Sequence, residues 1–339
     1  MNYSKTIVIN WHVTEACNYH CKFCFAKWNK PVEIWGDPAN VEKVISNICK
    51  YFRGQGYGHI RLNIVGGEPV MFPERLWNVV ETAYKYNMEI SIITNGSHLE
   101  NIRPFAHMIS LVGISVDSLD SQTNMNIGRE CGGKTISFEQ LRQKIEDVRS
   151  VNPDVKIKLN TVVNGFNYNE ILVESFAKLK VHKWKIFRQM PFKGNGGVND
   201  YQFYAFIKNN YKEELMQSCV PSVRSFSFAF ETGISNGGSS KQVIFIENNE
   251  AMTESYLMIS PDGRLFQNGG KEYFYSNSLT EISFAEALQE IKFDLSKFDE
   301  RYESYLTMQA VNEMRTFFHL DEDDTEVFDC FCDFDNDLI

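Results

Sequence analysis

No stretch of this 339-residue chain is long and apolar enough to read as a membrane span, and no basic flank with an apolar run and a small-residue cleavage site opens it. The start, MNYSKTIVINWHV, passes straight into an apolar strand pattern, so no export signal and no membrane association are expected. Positive charge is in short supply. Against 44 Asp and Glu stand 34 Lys and Arg, a formal net charge of -10, which speaks against broad nucleic-acid binding because that relies on neutralising many phosphates. A small phosphorylated ligand is not excluded, since charges beyond a Debye length are largely screened from a local pocket of Lys and Arg. No internal repeat of fixed period occurs. Eight cysteines, three of them clustered, are too few for a disulfide framework in a chain of this length; they fit a reducing, cytoplasmic compartment and metal binding. What is present, 43% hydrophobic and 23% charged residues, is the composition of a soluble globular protein, and the length allows one to three domains.

The clustered cysteines are Cys17, Cys21 and Cys24, in the run EACNYHCKFCFAKW, with Phe23 just before the last. Three thiolates at C-x3-C-x2-C spacing can hold three corners of a 4Fe-4S cluster and leave the fourth iron open. Zinc is the alternative, but a structural zinc site closes with four ligands, often from paired C-x2-C knuckles, and no second knuckle follows. His20 could donate in principle, yet it sits next to Cys21, poorly placed for the same tetrahedron. The next cysteine, Cys49, falls on an apolar helical pattern. The triad therefore resembles the signature of the radical S-adenosylmethionine enzymes. In that superfamily the open iron chelates the methionine end of the cofactor, and an electron from the cluster cleaves the sulfonium to give a 5'-deoxyadenosyl radical.

From residue 6 to 192, short β-rich runs alternate with amphipathic helices. Strands are expected over Thr6 to Val13, His59 to Val65, Glu89 to Thr94, Leu111 to Val116, Val155 to Val163 and His182 to Met190. Helical spacing joins Val41, Val44, Ile45, Ile48 and Phe52, then Leu76, Val79, Val80 and Ala83, then Phe138, Leu141, Ile145 and Val148. Six strands with intervening helices imply parallel pairing through right-handed crossovers. The expected class is α/β, a partial (β/α)6 barrel over 1–192 with its chemistry at the C-terminal strand ends. The cysteine loop, the Gly66-Gly67-Glu68-Pro69 turn, Thr94-Asn95-Gly96 and Ser115-Val116-Asp117-Ser118 all fall at such ends. Beyond 192 a helix is expected over Phe203 to Met216. Strand candidates follow at Gln242 to Glu247 and Ser255 to Ser260, with a Pro261-Asp262-Gly263 turn leading to Arg264 to Gln267. These make an α+β extension over 193–320 that covers the active site. The last stretch, 321–339, carries nine acidic residues with Phe328, Phe331 and Phe334 among them, a solvated tail or a grip for a partner. Cys330 and Cys332 read there as idle or half-buried thiols.

Several polar residues admit two readings. The glycine pair marks a tight turn, and on the strand after the cysteine loop it also lets backbone approach a cofactor ammonium; Glu68 orients that turn or contacts the amine. Asn95 is a cofactor contact or simply a turn residue. Arg129 is a surface arginine or a bidentate anion holder. Arg61 and Asn63, Lys158 and Asn160, and Lys183 and Lys185 each alternate along a strand, so each pair shares one face. Outward they are solvated; inward they form a concave anion site suited to a polyphosphate.

With these residues in view, the chain resembles the viperin family, the nucleotide-modifying branch of the radical S-adenosylmethionine superfamily, from about Asn10 to Asn268. The likeness lies in NWHVTEACNYHCKFCF, LNIVGGEP, ISVDSLDSQTNMNIGR, KIKLNTVVNGFN, KWKIF and SYLMISPDGRLFQN. It implies that Cys17, Cys21 and Cys24 bind the 4Fe-4S cluster. Phe23, Gly66, Gly67, Glu68, Asn95, Ser115, Arg129, Asn160 and Val162 would then meet S-adenosylmethionine. Arg61, Lys158, Lys183 and Lys185 would hold a triphosphate, with Asn10 and Asn63 near the ribose. The implied reaction removes the ribose 4'-hydrogen of a nucleoside triphosphate and expels the 3'-hydroxyl as water, giving a 3'-deoxy-3',4'-didehydro nucleotide that terminates chain synthesis, an antiviral role. A flavodoxin- or ferredoxin-type electron donor and a monomeric enzyme are implied too. The chain departs from the animal proteins in three places. It lacks their amphipathic N-terminal helix and their tryptophan ending, and no tyrosine lies within Ser260 to Asn268 where theirs lines the nucleotide pocket. Two rivals stand beside this reading. A radical peptide-modifying enzyme would need more cysteines beyond Cys131 than Cys219, Cys330 and Cys332; a non-catalytic iron-sulfur sensor would have no use for the Gly66 to Pro69 motif.

Overall fold

A computed structural model describes residues 5–26, 32–190, 197–210, 243–247, 255–268, 273–291 and 293–294. Its centre is one sheet of ten strands. In chain order the elements are β1 (Lys5–Thr14), α1 (Pro38–Gly54), β2 (Tyr57–Gly66), α2 (Pro73–Lys85), β3 (Glu89–Thr94), β4 (Leu111–Ser115), α3 (Ser121–Ile127), α4 (Phe138–Val151), β5 (Lys156–Val163), α5 (Val173–Lys178) and β6 (Lys183–Arg188). Then come α6 (Asp200–Asn210), β7 (Val243–Glu247), β8 (Leu257–Ile259), β9 (Arg264–Asn268), β10 (Tyr273–Ser278) and α7 (Phe284–Gln289). The strands lie in the order β10-β9-β8-β1-β2-β3-β4-β5-β6-β7, and all pairings from β8 through β7 are parallel. The architecture is a mostly parallel α/β sheet with helices, a partial barrel.

Each of the six expected strands is present, with ends shifted by no more than two residues. Periodicity explains why. On β1, Ile7, Ile9 and Trp11 are fully buried against the helices, while Asn10 and His12 alternate with them on the opposite face. The same split places Leu62 and Ile64 outward on β2, Ile157 and Leu159 on β5, and Trp184 and Ile186 on β6. Against this outer face α1 packs Val41, Val44, Ile45, Ile48 and Phe52, and α2 packs Leu76, Val79, Val80 and Ala83. Each such buried Val, Leu, Ile or Phe side chain contributes about 1.5–3 kcal/mol relative to exposure. Helix starts are set locally. Asp37 accepts from Ala39 N at 2.9 Å ahead of Pro38, and Ser137 with Gln140 forms a capping box at the head of α4.

The strands after residue 192 join the same sheet at both of its edges. β7 lies parallel to β6, while β8 runs parallel to β1 and continues through the antiparallel β9 and β10. The expected helix from Phe203 is seen as Asp200–Asn210, and its continuation toward Met216 lies outside the described residues, as do Cys219, Cys330, Cys332 and the acidic tail. Among the described residues no helix is long and apolar enough to cross a membrane.

Candidate active site

The loop carrying the three cysteines leaves the end of β1 and is clamped on two sides by glycine. On one side Gly67 N donates to Thr14 O at 2.7 Å and Glu68 N to Ala16 O at 2.8 Å. A Cβ on Gly67 would stand 2.1 Å from Ala16 O, and one on Gly66, whose φ is +151°, 2.5 Å from Thr14 O. The close approach that forbids side chains here is thus to the cysteine loop itself. On the other side the end of α3 docks through His20 N to Gly128 O at 3.0 Å and Lys22 N to Ile127 O at 2.9 Å, and a Cβ on Gly128 (φ +86°) would lie 2.4 Å from His20 O. Glu33 takes Thr14 Oγ1 at 2.6 Å and Glu15 N at 3.1 Å. Asn95 Nδ2 donates to Asn18 Oδ1 at 2.8 Å, with Cys17 Sγ at 3.8 Å, and Asn18 Nδ2 reaches Ser97 Oγ at 3.1 Å.

All three cysteines are half-buried and face one cavity of about 760 Å³ at the C-terminal ends of the strands. Burial pushes the Cys17 thiol up and the Cys21 thiol up to about 11. Iron therefore has to displace protons there, since the thiolate is the ligand. Among the described residues no three His, Cys, Asp or Glu side chains converge as ligands of one ion. A cluster instead takes each thiolate on a different iron.

Beside the thiols, Arg129 Nε donates to Asp117 Oδ2 at 2.5 Å and its Nη1 to Ser115 O at 3.2 Å. Burial works against the guanidinium charge, and Asp117 and Cys21 more than offset it, so Arg129 stays cationic in the cavity wall. Asp117 also accepts from Val162 N at 2.7 Å, tying Arg129 to β5. Ser115, Phe23, Asn95, Asn160 and Val162 line the same cavity, and Asn160 Oδ1 is buried with no hydrogen-bond partner among the described residues. Glu68 does not line it. Fully buried, its carboxylate accepts from Val70 N, Thr94 Oγ1 and Asn95 N, so both oxygens are spent on holding the turn to the end of β3.

The polar residues of β1, β2, β5 and β6 face inward together, and they divide by depth. Asn63 Nδ2 donates to Asn10 Oδ1 at 2.7 Å and Ser91 Oγ to Asn63 Oδ1 at 2.9 Å, forming a chain across β1, β2 and β3. Lys158 and Lys185 line the cavity with Asn10 and Asn63. A Cβ on Gly113 would lie 2.4 Å from Ile93 Cδ1 and 3.0 Å from Lys158 Cε, so this glycine on β4 makes room for the lysine stem. Lys185 Nζ donates to Tyr256 Oη at 3.0 Å, which joins β6 to the segment before β8 across the lumen. Arg61 and Lys183 share the inward face but do not line the cavity, and Arg61 is paired with Glu89.

Several cavity residues were not singled out in the sequence. Tyr256, Met258 and Tyr273 arrive only because β8–β10 lie beside β1, a pairing between segments some 250 residues apart that no local pattern encodes. His12 could have been found, since it continues the Asn10 alternation. Its ring meets Phe25 and Phe266 edge-on at 5.8 and 5.5 Å, and burial lowers it to about 3, so it is neutral at working pH.

Comparison with known proteins agrees with this geometry. A family model described as the Radical SAM superfamily matches residues 11–176. A protein of Fibrobacter sp. (strain UWH6) named S-adenosylmethionine-dependent nucleotide dehydratase is 56% identical over 332 residues, 97% of this chain and 98% of that protein. One of the same name from Psychrobacter lutiphocae is 33% identical over 311 residues, covering 88% and 95%. Of solved structures, native anSMEcpe with bound AdoMet and Kp18Cys peptide matches with a TM-score of 0.60 at 15% identity, over 93% of this chain and 97% of that one, a likeness of fold.

Proposed function

Since the chain belongs to the S-adenosylmethionine-dependent nucleotide dehydratases, viperin-like enzymes of the radical SAM superfamily with its 4Fe-4S cluster and S-adenosylmethionine, we propose that its substrate is a ribonucleoside triphosphate. The product is the 3'-deoxy-3',4'-didehydro analogue. The 4'-hydrogen is removed, the 3'-hydroxyl leaves as water, and one electron and one proton complete the balance. The observation that carries this is the convergence of Lys158 and Lys185 with the three cysteines in one cavity.

The residues present fit both cofactors. Cys17, Cys21 and Cys24 offer three thiols on one wall, Arg129 offers a fixed cation, and the orphaned Asn160 Oδ1 wants a donor such as an ammonium or hydroxyl. When bound there, cluster and cofactor together supply a 5'-deoxyadenosyl radical. The chain's part is placement. Lys158 and Lys185 hold phosphate oxygens, Asn10 and Asn63 hydrogen-bond the ribose, and the rings of Phe25, Phe187 and Tyr273 that line the cavity limit water near the reacting carbon. Asp117 fixes Arg129.

The electron comes from a flavodoxin- or ferredoxin-type donor, the enzyme works as a cytoplasmic monomer, and its chain-terminating product serves antiviral defence. The test is anaerobic reconstitution with S-adenosylmethionine and reductant, comparing 5'-deoxyadenosine formation with CTP, UTP, GTP, ATP and no nucleotide. Strong stimulation by one triphosphate, with a product lighter by one water, is expected. Cleavage indifferent to all four would overturn the reading and point to peptides.

A further inference from the structure

The cysteine loop leaves β1 at Thr14, and the chain returns to the same place at Glu33, 19 residues later. Glu33 Oε1 accepts from Thr14 Oγ1 at 2.6 Å and from Glu15 N at 3.1 Å. Its Oε2 accepts from Trp35 Nε1 at 3.1 Å and from Arg75 Nη1 at 3.4 Å. Thr14 Oγ1 accepts in turn from the N–H of Ala16, the residue before Cys17, at 3.0 Å. One carboxylate thus joins the root of the loop to anchors outside it. Trp35 is fully buried, with its ring edge-on to Phe72 at 5.8 Å. Arg75, on α2, is half exposed and its bond to Glu33 is long, so that ion pair adds little; the Trp35 bond is the firm one. Thr14 is fully buried too, and its carbonyl takes Gly67 N at 2.7 Å, so the glycine clamp and the carboxylate meet on one residue.

We propose that Glu33 is a positioning residue for the iron-sulfur cluster, closing the cysteine loop at its root by tying Thr14 and Glu15 to the Trp35 anchor. The inference holds for whatever substrate the cavity takes. The backbone contacts of Gly67, Glu68 and α3 grip the outgoing half of the loop, residues 14–22, whereas Glu33 joins its two ends. A tie between loop ends restricts every residue between them. Without it the chain from Glu15 onward gains states in which the three thiols no longer face one point, and a cluster held by three thiolates loosens when any one of them turns away. The carboxylate suits this place because it accepts from three separate segments at once, the strand end, the Trp35 indole and α2. Glu33 is not a cluster ligand in this arrangement; it acts through Thr14 and Glu15 on Cys17.

The experiment loads the full chain with its cluster and follows anaerobic iron release to a chelator for the wild type, Thr14→Val, Glu33→Ala and the double variant. Each single change is expected to speed release by about tenfold, the size of one hydrogen bond to a carboxylate. The double variant should match the faster single, because both changes sever the same linkage. In the cluster-free chain, alkylation by iodoacetamide is read at Cys17 and at Cys49, which is buried on α1 and reports opening of the fold as a whole. Cys17 should react faster in the variants while Cys49 keeps its wild-type rate. Glu33→Gln, which keeps an acceptor for Thr14 and Glu15 but turns an amide N–H toward Trp35, serves if the alanine variant does not fold, with the same effect at smaller size. Iron release at the wild-type rate from a folded Glu33 variant overturns the proposal. So do effects that multiply in the double variant, or a Cys49 rate that rises in step with that of Cys17.

Discussion

Glu68 is held by three hydrogen-bond donors, Lys185 by a phenol and two aromatic rings. The Glu68 carboxyl is raised from 4.5 to about 7 by its complete burial, against the pull of the Asn95, Thr94 and Val70 donors. Its folded value lies above its unfolded one, so its contribution to stability is complete below pH 4.5 and is lost as pH rises through 7. Thermal unfolding of the cluster-free chain should therefore show Tm falling between those limits, and Glu68→Gln should flatten that part of the profile; an identical slope in the variant would assign the titration elsewhere. Lys185 Nζ lies 4.9 and 5.5 Å from the centroids of the Phe187 and Tyr256 rings and is bonded to Tyr256 Oη. Replacing Lys158 or Lys185 with Ala should raise the nucleotide KM roughly tenfold or more while leaving unproductive S-adenosylmethionine cleavage much closer to wild type. Unchanged nucleotide binding in both variants would remove the anion site. The alternation of charged with apolar residues on β5 and β6 made these lysines legible in the sequence. It did not reveal that Arg61 is engaged by Glu89, because that depends on cross-strand register.

At the scale of elements, the loop and the turns that grip it matter more than any ligand alone. The strands and the helix faces were legible because the outward rows are largely apolar while polar residues recur on the inward rows of β1, β2, β5 and β6, a contrast that α1 and β5 show. The purpose of the glycines was only half legible. Gly66 and Gly67 are required by the Thr14 to Ala16 backbone, and Gly128 by His20 O, contacts made between segments far apart in the chain. Gly67→Ala and Gly128→Ala should each cost about 1–3 kcal/mol or more through overpacking, and the strain falls on the cysteine loop. Iron and sulfide content after reconstitution should drop well below wild type in both. Full loading of either variant would show that the loop does not depend on these contacts.

The whole molecule is a sheet lengthened at both edges, with β7 beside β6 and β8–β10 beside β1. Through this arrangement Tyr256, Met258 and Tyr273 reach a cavity otherwise built from the first six strands. That an extension with strands near Ser255 to Ser260 and Arg264 to Gln267 covers the site was legible in the sequence, but its pairing with β1 was not, since neither strand carries a mark of its neighbour. It places the cysteine loop, the Arg129 cation, the Asn10 and Asn63 amides and the two lysines around one space, which is what hydrogen removal from a bound nucleotide requires. The most direct measurement supplies the stimulating triphosphate with deuterium at C4' and follows the label by mass spectrometry. Deuterium recovered in 5'-deoxyadenosine, with a dehydrated nucleotide formed alongside it, is the outcome the proposed reaction predicts. Turnover that yields 5'-deoxyadenosine free of deuterium would show that hydrogen is taken from another position or another molecule.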